Sequence, residues 1–262
     1  METHTTLVTH TLDGPVAEIV LSRPDKLNAL TLDMVELVHA SLQAAESEGA
    51  RALVLRGEGR AFCSGRDLSG VDPATDDAER VLAEIVNPLI RRVREFPTPT
   101  FAAVQGACLG VGLGLALACD VVVAAEDARI GSPFARIGAA LDSGGHAFFV
   151  ERLGSHRALE LIYTGRLLSG REAEAWNLVN RSVANDDLLG EVRRMASAVA
   201  QGPTLALQTS KRLVLRILDE HLTMEEVLSA EAAAQGALSG TADYREGFSA
   251  FQAKRQPRFI GA

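Results

Sequence analysis

Residues 101–120 read FAAVQGACLGVGLGLALACD, and the class of fold turns on them. Phe101 to Val104 is a short apolar run of strand length. The glycine-rich turn Gln105-Gly106-Ala107-Cys108-Leu109-Gly110-Val111-Gly112 follows, and Gly110 to Ala118 is a small-residue apolar helix. A buried strand, a glycine turn and a buried helix, in that order, form one step of an α/β fold. A related step lies upstream. Ala52 to Leu55 (ALVL) is a compact strand, and a glycine-rich loop runs through Gly57, Gly59 and Gly65. A charged helix then spans about Asp77 to Glu95 and is broken by Pro97 and Pro99. Val121 to Ala124 is a further strand.

Toward the N-terminus, Ala17 to Leu21 is strand-like, with a turn at Ser22-Arg23-Pro24-Asp25. Thr31 opens an amphipathic helix to about Glu48, with Leu32, Val35, Leu37, Val38 and Leu42 as its apolar stripe and Gly49 as its stop. From Ser155 onward the pattern is mostly helical, over residues 171–177, 186–201, 203–219, 222–239 and 243–254. Leu178 to Val183 is the one strand-like run of that half. The expected architecture is an α/β core over residues 1–200 and a helical C-terminal region over residues 201–262, in one compact unit.

Composition narrows the function. The chain has 262 residues, 47% of them hydrophobic, enough for a large core. A net charge of -8 with no long basic patch excludes nucleic acid as the expected partner. Cys63, Cys108 and Cys119 are odd in number and lack Cys-x-x-Cys spacing, so neither a disulfide framework nor a zinc site is suggested. Cys108 and Cys119 sit in apolar runs and read as core thiols. METHTTLVTH carries no basic region followed by an apolar stretch, and no apolar run reaches the length of a membrane span. A cytoplasmic protein with no metal is the expectation.

Two glycine turns can carry chemistry: Ala61-Phe62-Cys63-Ser64-Gly65-Arg66-Asp67-Leu68 and the turn at 105–112. Glycine lets backbone approach a ligand, and the first amides of a helix have no internal partner. Two such turns from neighbouring strands can aim two N–H groups at one oxygen, forming an oxyanion hole. Taken singly, each is more often an ordinary strand-to-helix turn. Gly110-Val111-Gly112-Leu113-Gly114 lacks the G-x-G-x-x-G spacing of a dinucleotide loop, and no Lys-Ser/Thr pair follows, which disfavours a nucleotide-binding oxidoreductase.

AFCSGRDL (61–68) resembles the first oxyanion loop of the crotonase, or enoyl-CoA hydratase/isomerase, superfamily. QGACLGVGLGLALACD (105–120) resembles its second oxyanion segment, and RPDKLNAL (23–30) its coenzyme A-side turn. LLSGREAEAWNLVNRSV (167–183) resembles the segment before its C-terminal helices, and EGFSAFQAKRQPRF (246–259) its terminal motif. The matches stand in order over nearly the whole chain. The resemblance implies a crotonase-like α/β fold of repeated β-β-α units. It also implies homotrimers, commonly paired into hexamers, built through the C-terminal helices. It implies the amides of Arg66 and Val111 as oxyanion donors, with Ser64, Gly65 and Gly110 in the loops that present them. Lys26, Leu27, Asp67 and Leu68 would follow the coenzyme A, and the Arg66 guanidinium could touch a phosphate. Phe251 and Lys254 would meet the adenosine end from a neighbouring subunit. For Lys254, a solvated basic helix end is the plain alternative.

The carboxylates bear on the reaction. Hydration of a 2-enoyl thioester needs two proton-handling groups, and the family's hydratases use two glutamates. The corresponding positions here are Gly114 and Phe134, and neither side chain moves a proton. The loop Gly138-Ala139-Ala140-Leu141-Asp142-Ser143-Gly144-Gly145 resembles the Pro-Asp-x-Gly-Gly loop of phenylacetate-degradation-type isomerases, with Leu141 in place of the proline. The resemblance makes Asp142 an acid or base. The residues alone favour an N-cap of the helix that starts near His146. His146, four residues on, could tune Asp142, shuttle a proton or simply line the pocket. Phe134, Leu141, Phe148 and Phe149 would make apolar acyl surroundings or plain core. Glu126 and Asp127 read as a solvated turn, Asp120 as structural, and Glu151 with Arg152 as an exposed helix end.

The expected function is therefore acyl-CoA isomerisation, from 3-enoyl-CoA to 2-enoyl-CoA or a related ring or dienoyl shift. Asp142 is the acid/base, and coenzyme A is part of the substrate rather than a separate cofactor. The alternatives are an atypical hydratase, other enolate chemistry on the same frame, and a non-catalytic acyl-CoA binder.

Overall fold

The computed structural model describes residues 6–262; the part of the leader reading that falls on residues 1–5 lies outside them. The strands are β1 (Val8–Asp13), β2 (Val16–Leu21), β3 (Ala52–Gly57), β4 (Thr100–Val104), β5 (Ala107–Leu109), β6 (Val121–Ala125), β7 (Arg129–Gly131) and β8 (Arg181–Val183). Six of them form a sheet in the order β1-β2-β3-β4-β6-β8. Its first pair is an antiparallel hairpin and every other pair is parallel. β5 and β7 form a second, parallel pair. Isolated bridges Leu30–Arg66, Cys63–Cys108 and Ile130–Leu168 continue that pair on both sides.

The bridges show the repeating unit. Chain leaving the large sheet at the end of β4 passes through β5 in the second layer and then enters α4 (Val111–Ala118). Chain leaving β6 passes through β7 before α5 (Gly145–Thr164). β3 is followed by the 63–66 segment and then by α2 (Ala78–Arg80), a π-helical stretch Val81–Val86 and α3 (Asn87–Arg94). β2 is followed by the bridge at Leu30 and then by α1 (Leu32–Ser47). The N-terminal part of the chain is thus a series of β-β-α units.

Most sequence-predicted elements are present, and the differences have physical causes. Thr31 caps α1 by accepting from the Met34 amide. Val35, Val38 and Leu42 are buried with Met34 and Ala45, whereas Leu32 is 46% exposed and Leu37 also faces outward. β1 escapes prediction because its outer residues, Thr11 to Asp13, are exposed and give no apolar run. β5 and β7 have three residues each, too few for periodicity to register. Leu178 and Val179 belong to the turn after α6 (Gly170–Ala175), both amides bonding back to Ala173, so only Arg181–Val183 is strand. Arg152 is not an exposed helix end. It lies inside α5, its guanidinium donates to the Leu117 carbonyl at 2.8 Å, and burial lowers its pKa.

α7 (Asn185–Ala200) packs across β3, β4 and β6. The remaining helices are α8 (Thr204–Glu220), α9 (Met224–Leu238) and α10 (Ala242–Gln252), and cations tie α8 and the segment after α10 to the core. Arg51 donates to the Thr204 hydroxyl at 2.7 Å and to the carbonyls of Gly202 and Phe259. Lys211, whose side chain is largely buried, pairs at 2.8 Å with Asp120, which also accepts from the Thr100 amide. Asp120 is thus structural, as its sequence position suggests.

Asn28 joins the site-bearing loops to one another. It is fully buried in a left-handed conformation at φ 54°. Its Nδ2 donates to the carbonyls of Glu58 and Ala61, and its Oδ1 accepts from the Arg23 amide. Asn28→Ala leaves these groups without partners and places alanine at positive φ. It is expected to destabilise the fold by about 3 kcal/mol, read as a lowered midpoint in urea denaturation followed by circular dichroism.

Candidate active site

Loop 61–68 and loop 105–112 meet backbone to backbone. The Cys63 amide donates to the Ala107 carbonyl at 3.0 Å, and the Leu109 amide donates to the Cys63 carbonyl at 2.9 Å. A Cβ on Gly112 would lie 2.4 Å from the Cys63 carbonyl oxygen, so only glycine permits this approach. One on Gly110, which has φ 53°, would lie 3.1 Å from the Phe134 ring and 3.8 Å from the Gly65 Cα.

This contact orients two amides. In the parallel bridge to Leu30, the Gly65 carbonyl and the Asp67 amide make the hydrogen bonds, each 2.8 Å. The Arg66 N–H alternates to the other side. Val111 is the first residue of α4, where amides have no intrahelical acceptor. Among the described residues, neither the Arg66 nor the Val111 N–H has an acceptor. Two unpaired amides on touching loops, one at a helix start, form an arrangement able to hold an anionic oxygen.

The coenzyme-side turn is joined to the same loop. Ser64 donates its amide to the Leu27 carbonyl at 3.0 Å, and its hydroxyl lies 3.4 Å from the Lys26 carbonyl. Leu27 adopts φ 52°, and Lys26 is exposed. Leu68 is exposed as well. The side chains of Arg66 and Asp67 are already engaged. Arg66 makes a bidentate pair with Asp76 at 2.8 and 2.7 Å, which raises its own pKa and holds the Asp76 carboxyl below the usual range. The guanidinium that could touch a phosphate is thus already paired with a carboxylate. Asp67 accepts from the Ser69 hydroxyl and amide and from Arg23, and these bonds depress its pKa.

The acid-bearing loop packs against the first turn of α4. A Cβ on Gly114 would lie 2.4 Å from the Ser143 carbonyl oxygen and 2.6 Å from the Ser143 Cβ. The position at which the resemblance puts a hydratase glutamate is thus filled by the neighbouring loop. Asp142 is half-buried, and its carboxylate accepts from the Ser143 hydroxyl at 2.7 Å. It does not cap α5. The cap position is Gly144, without a side-chain hydrogen bond, so the capping alternative is corrected. Burial raises the pKa of Asp142, opposed by the Ser143 hydrogen bond and by the charges of Arg66 and His146. His146 lies exposed on the first turn of α5.

Not every sequence candidate joins this group. Phe134 is half-buried against Gly110, while Leu141, Phe148 and Phe149 belong to the hydrophobic core. Phe251, 84% exposed, lines a cavity of about 410 Å³ with residues of the C-terminal region such as Leu205, Leu238 and Phe248. Lys254 follows α10 at φ 52°. Glu126, read as solvated, pairs with Arg171. Sequence reasoning missed Asp76 and Ser143. Position 143 is occupied by any residue type in the pattern used to find the loop, so nothing flagged its serine. Among the described residues, no cluster of metal-ligating side chains occurs and no helix is long and apolar enough to cross a membrane.

Fold and loop geometry define an α/β protein with a main-chain site for an anionic oxygen, and comparison with known proteins supplies the family. The profile described as "Enoyl-CoA hydratase/isomerase" matches residues 11–262, and the chain belongs to this family. A Rhodobacter capsulatus protein described as "Probable enoyl-CoA hydratase" is 38% identical over 261 residues, covering 100% of both chains. The 1,2-epoxyphenylacetyl-CoA isomerase of Escherichia coli is 34% identical, covering 97% of this chain and 98% of its own. The crystal structure of enoyl-CoA hydratase subunit I from Geobacillus kaustophilus superposes with a TM-score of 0.91 at 36% identity. It covers 99% of this chain and 100% of that one. The fold is the crotonase fold of these neighbours.

Two outcomes follow from the packing. Gly114→Ala forces a shift in the 142–143 loop and is expected to lower stability by about 1–3 kcal/mol, measured by thermal denaturation. Burial pushes the Cys63 and Cys119 thiols up to about 12 and raises Cys108 well above its usual value. All three should resist iodoacetamide at pH 8 in the native protein and react in guanidinium chloride, as counted by mass spectrometry.

Proposed function

We propose that this member of the family moves a carbon–carbon double bond along an acyl-CoA, with Asp142 as the acid/base. One observation carries the reading. Of the three positions from which the family's acids would act, only 142 bears a carboxylate, and Ser143 fills the space beside Gly114. Hydration by the two-carboxylate route needs one group to activate water and another to protonate C2. A double-bond shift needs one base that returns its proton to a different carbon.

In this mechanism the Asp142 carboxylate removes a C2 proton from a 3-enoyl thioester. The electron pair delocalises onto the thioester oxygen as a dienolate. The Arg66 and Val111 amides hold that charge, each worth about 3–4 kcal/mol in the transition state. Protonated Asp142 then delivers the proton to C4, and the double bond lies between C2 and C3. No metal or redox cofactor enters this scheme, and coenzyme A arrives as part of the substrate. The exposed apolar residues of the C-terminal helices, Met224, Leu228 and Phe248 among them, support a homotrimer or hexamer as the working form.

The test is turnover of 3-enoyl- and 2-enoyl-CoA panels in heavy water, read by mass spectrometry. Double-bond migration with deuterium uptake, reduced at least about 100-fold in Asp142→Asn, is the expected result. Uptake of one water by the native protein would replace this reading with hydration, and full isomerisation by Asp142→Asn would remove Asp142 from it.

The sign of the pH dependence is set by the raised pKa. The base must be ionised, so kcat/KM should rise with pH, with a midpoint above the usual carboxylate range. For stability the sign is opposite. A carboxyl whose folded pKa is raised stabilises the fold below its unfolded pKa, and that contribution is lost as pH rises through the folded value. At pH 7 Asp142→Asn should therefore leave the melting temperature unchanged or raise it, measured by scanning calorimetry, whereas loss of a helix cap would lower it.

A further inference from the structure

Ser143 occupies a conformation that its side chain does not favour. It sits at φ 54°, the left-handed region where glycine is at ease and serine is strained, and it is only 3% exposed. The two residues that follow, Gly144 and Gly145, are glycines. A third glycine would fit this backbone with less strain, so the serine side chain must offset a cost. Its Cβ and carbonyl oxygen rest on the bare face of Gly114, which fixes the residue against α4. From that anchored position its hydroxyl donates to Oδ1 of Asp142 at 2.7 Å. Among the described residues, it is the one hydrogen-bond donor to that carboxylate.

We propose that Ser143 is a positioning residue: anchored on Gly114, its hydroxyl holds one oxygen of the Asp142 carboxylate and leaves the other turned to the substrate. The proposal rests on Asp142 being the acid/base. A carboxylate that must take a proton at C2 and return it at C4 has to face two carbons without rotating into the loop, and a single strong hydrogen bond to Oδ1 provides that restraint.

The surroundings of Asp142 make the role measurable. Arg66 faces it from loop 61–68, itself paired with Asp76, and His146 faces it from α5. α4 brings Gly114 against Ser143, Ile90 of α3 lies beside Gly114, and neither titrates. Arg91, Arg94, Glu95, Glu151 and Asp219 border a depression that reaches Gly144. Against this fixed set of charges, the Ser143 hydroxyl favours the ionised carboxylate.

The experiment compares Ser143→Ala and Ser143→Gly with Asp142→Asn in the full-length enzyme, by isomerase kinetics across pH and by melting temperature. Alanine keeps the Cβ contact and the strain. Glycine removes both. The two should move the melting temperature in opposite directions. If the hydroxyl positions Asp142, both variants lose about 10-fold in kcat with KM little changed. Both should also move the acid limb of kcat/KM upward by about one pH unit. Rates that follow the melting temperatures, or an acid limb that stays in place in both variants while Asp142→Asn is inactive, would overturn the role of Ser143 alone. Full turnover by Asp142→Asn would overturn the Asp142 reading and this proposal with it.

Discussion

The functional region depends on one constraint: two loops must touch through their main chains with no side chain between them. The Cys63 carbonyl oxygen lies 2.4 Å from where a Gly112 Cβ would be, and the Arg60 carbonyl presses closer still on the Gly106 position, at 1.9 Å. This contact extends the second sheet by the Cys63–Cys108 bridge and keeps α4 starting beside loop 61–68. The amide orientation follows from it. Once Gly65 and Asp67 bond to Leu30, alternation along an extended backbone leaves the Arg66 N–H facing away, while the start of α4 leaves Val111 unpaired. Charge stabilisation by main chain tolerates change at the side chain, which explains how Arg66 can direct its guanidinium to Asp76 without disturbing the amide.

Much of this was legible in the residues. β2, β3, β4, β6 and nearly all of the helices announce themselves through apolar runs or helical periodicity, and the two glycine turns stand out because they follow buried strands. The second layer was not legible. It consists of two three-residue strands and single bridges, and its pairing is set by tertiary contact rather than by any local pattern. Ligand-facing backbone is visible in sequence only as glycine, whereas the groups that position it are ordinary polar residues. Asn28 and Ser143 are examples. Each sits at positive φ and makes its bonds to main chain or to a neighbour, and neither residue type at that place is unusual until the geometry is seen.

Asp142 shows why a sequence could not choose between cap and acid. Its position before a Ser-Gly-Gly start is compatible with both. The backbone excludes the cap. Ser143 and Gly144 both take left-handed conformations, so α5 begins at Gly145 with Gly144 as its cap and the aspartate lies outside the helix. Its carboxyl is then subject to opposing influences of similar kind. Burial disfavours the charge, while Ser143, Arg66 and His146 favour it, and burial is the largest. A carboxyl reluctant to ionise is a stronger base than an exposed one.

Similarity to relatives described as hydratases and to one described as an isomerase leaves the reaction to local space. A glutamate on the first turn of α4 needs a channel for its side chain, and in this chain Ser143 is packed flush against that turn. The same packing that excludes a second carboxylate is what anchors the Ser143 hydroxyl beside the first. Under the proposed reading, the absence of a group at Gly114 and the orientation of the group at Asp142 have one structural cause. A chain that regained space at 114 by retracting the 142–143 loop would loosen the base it already has. The two-carboxylate and one-carboxylate arrangements are then alternatives at this site, and this backbone accommodates the second.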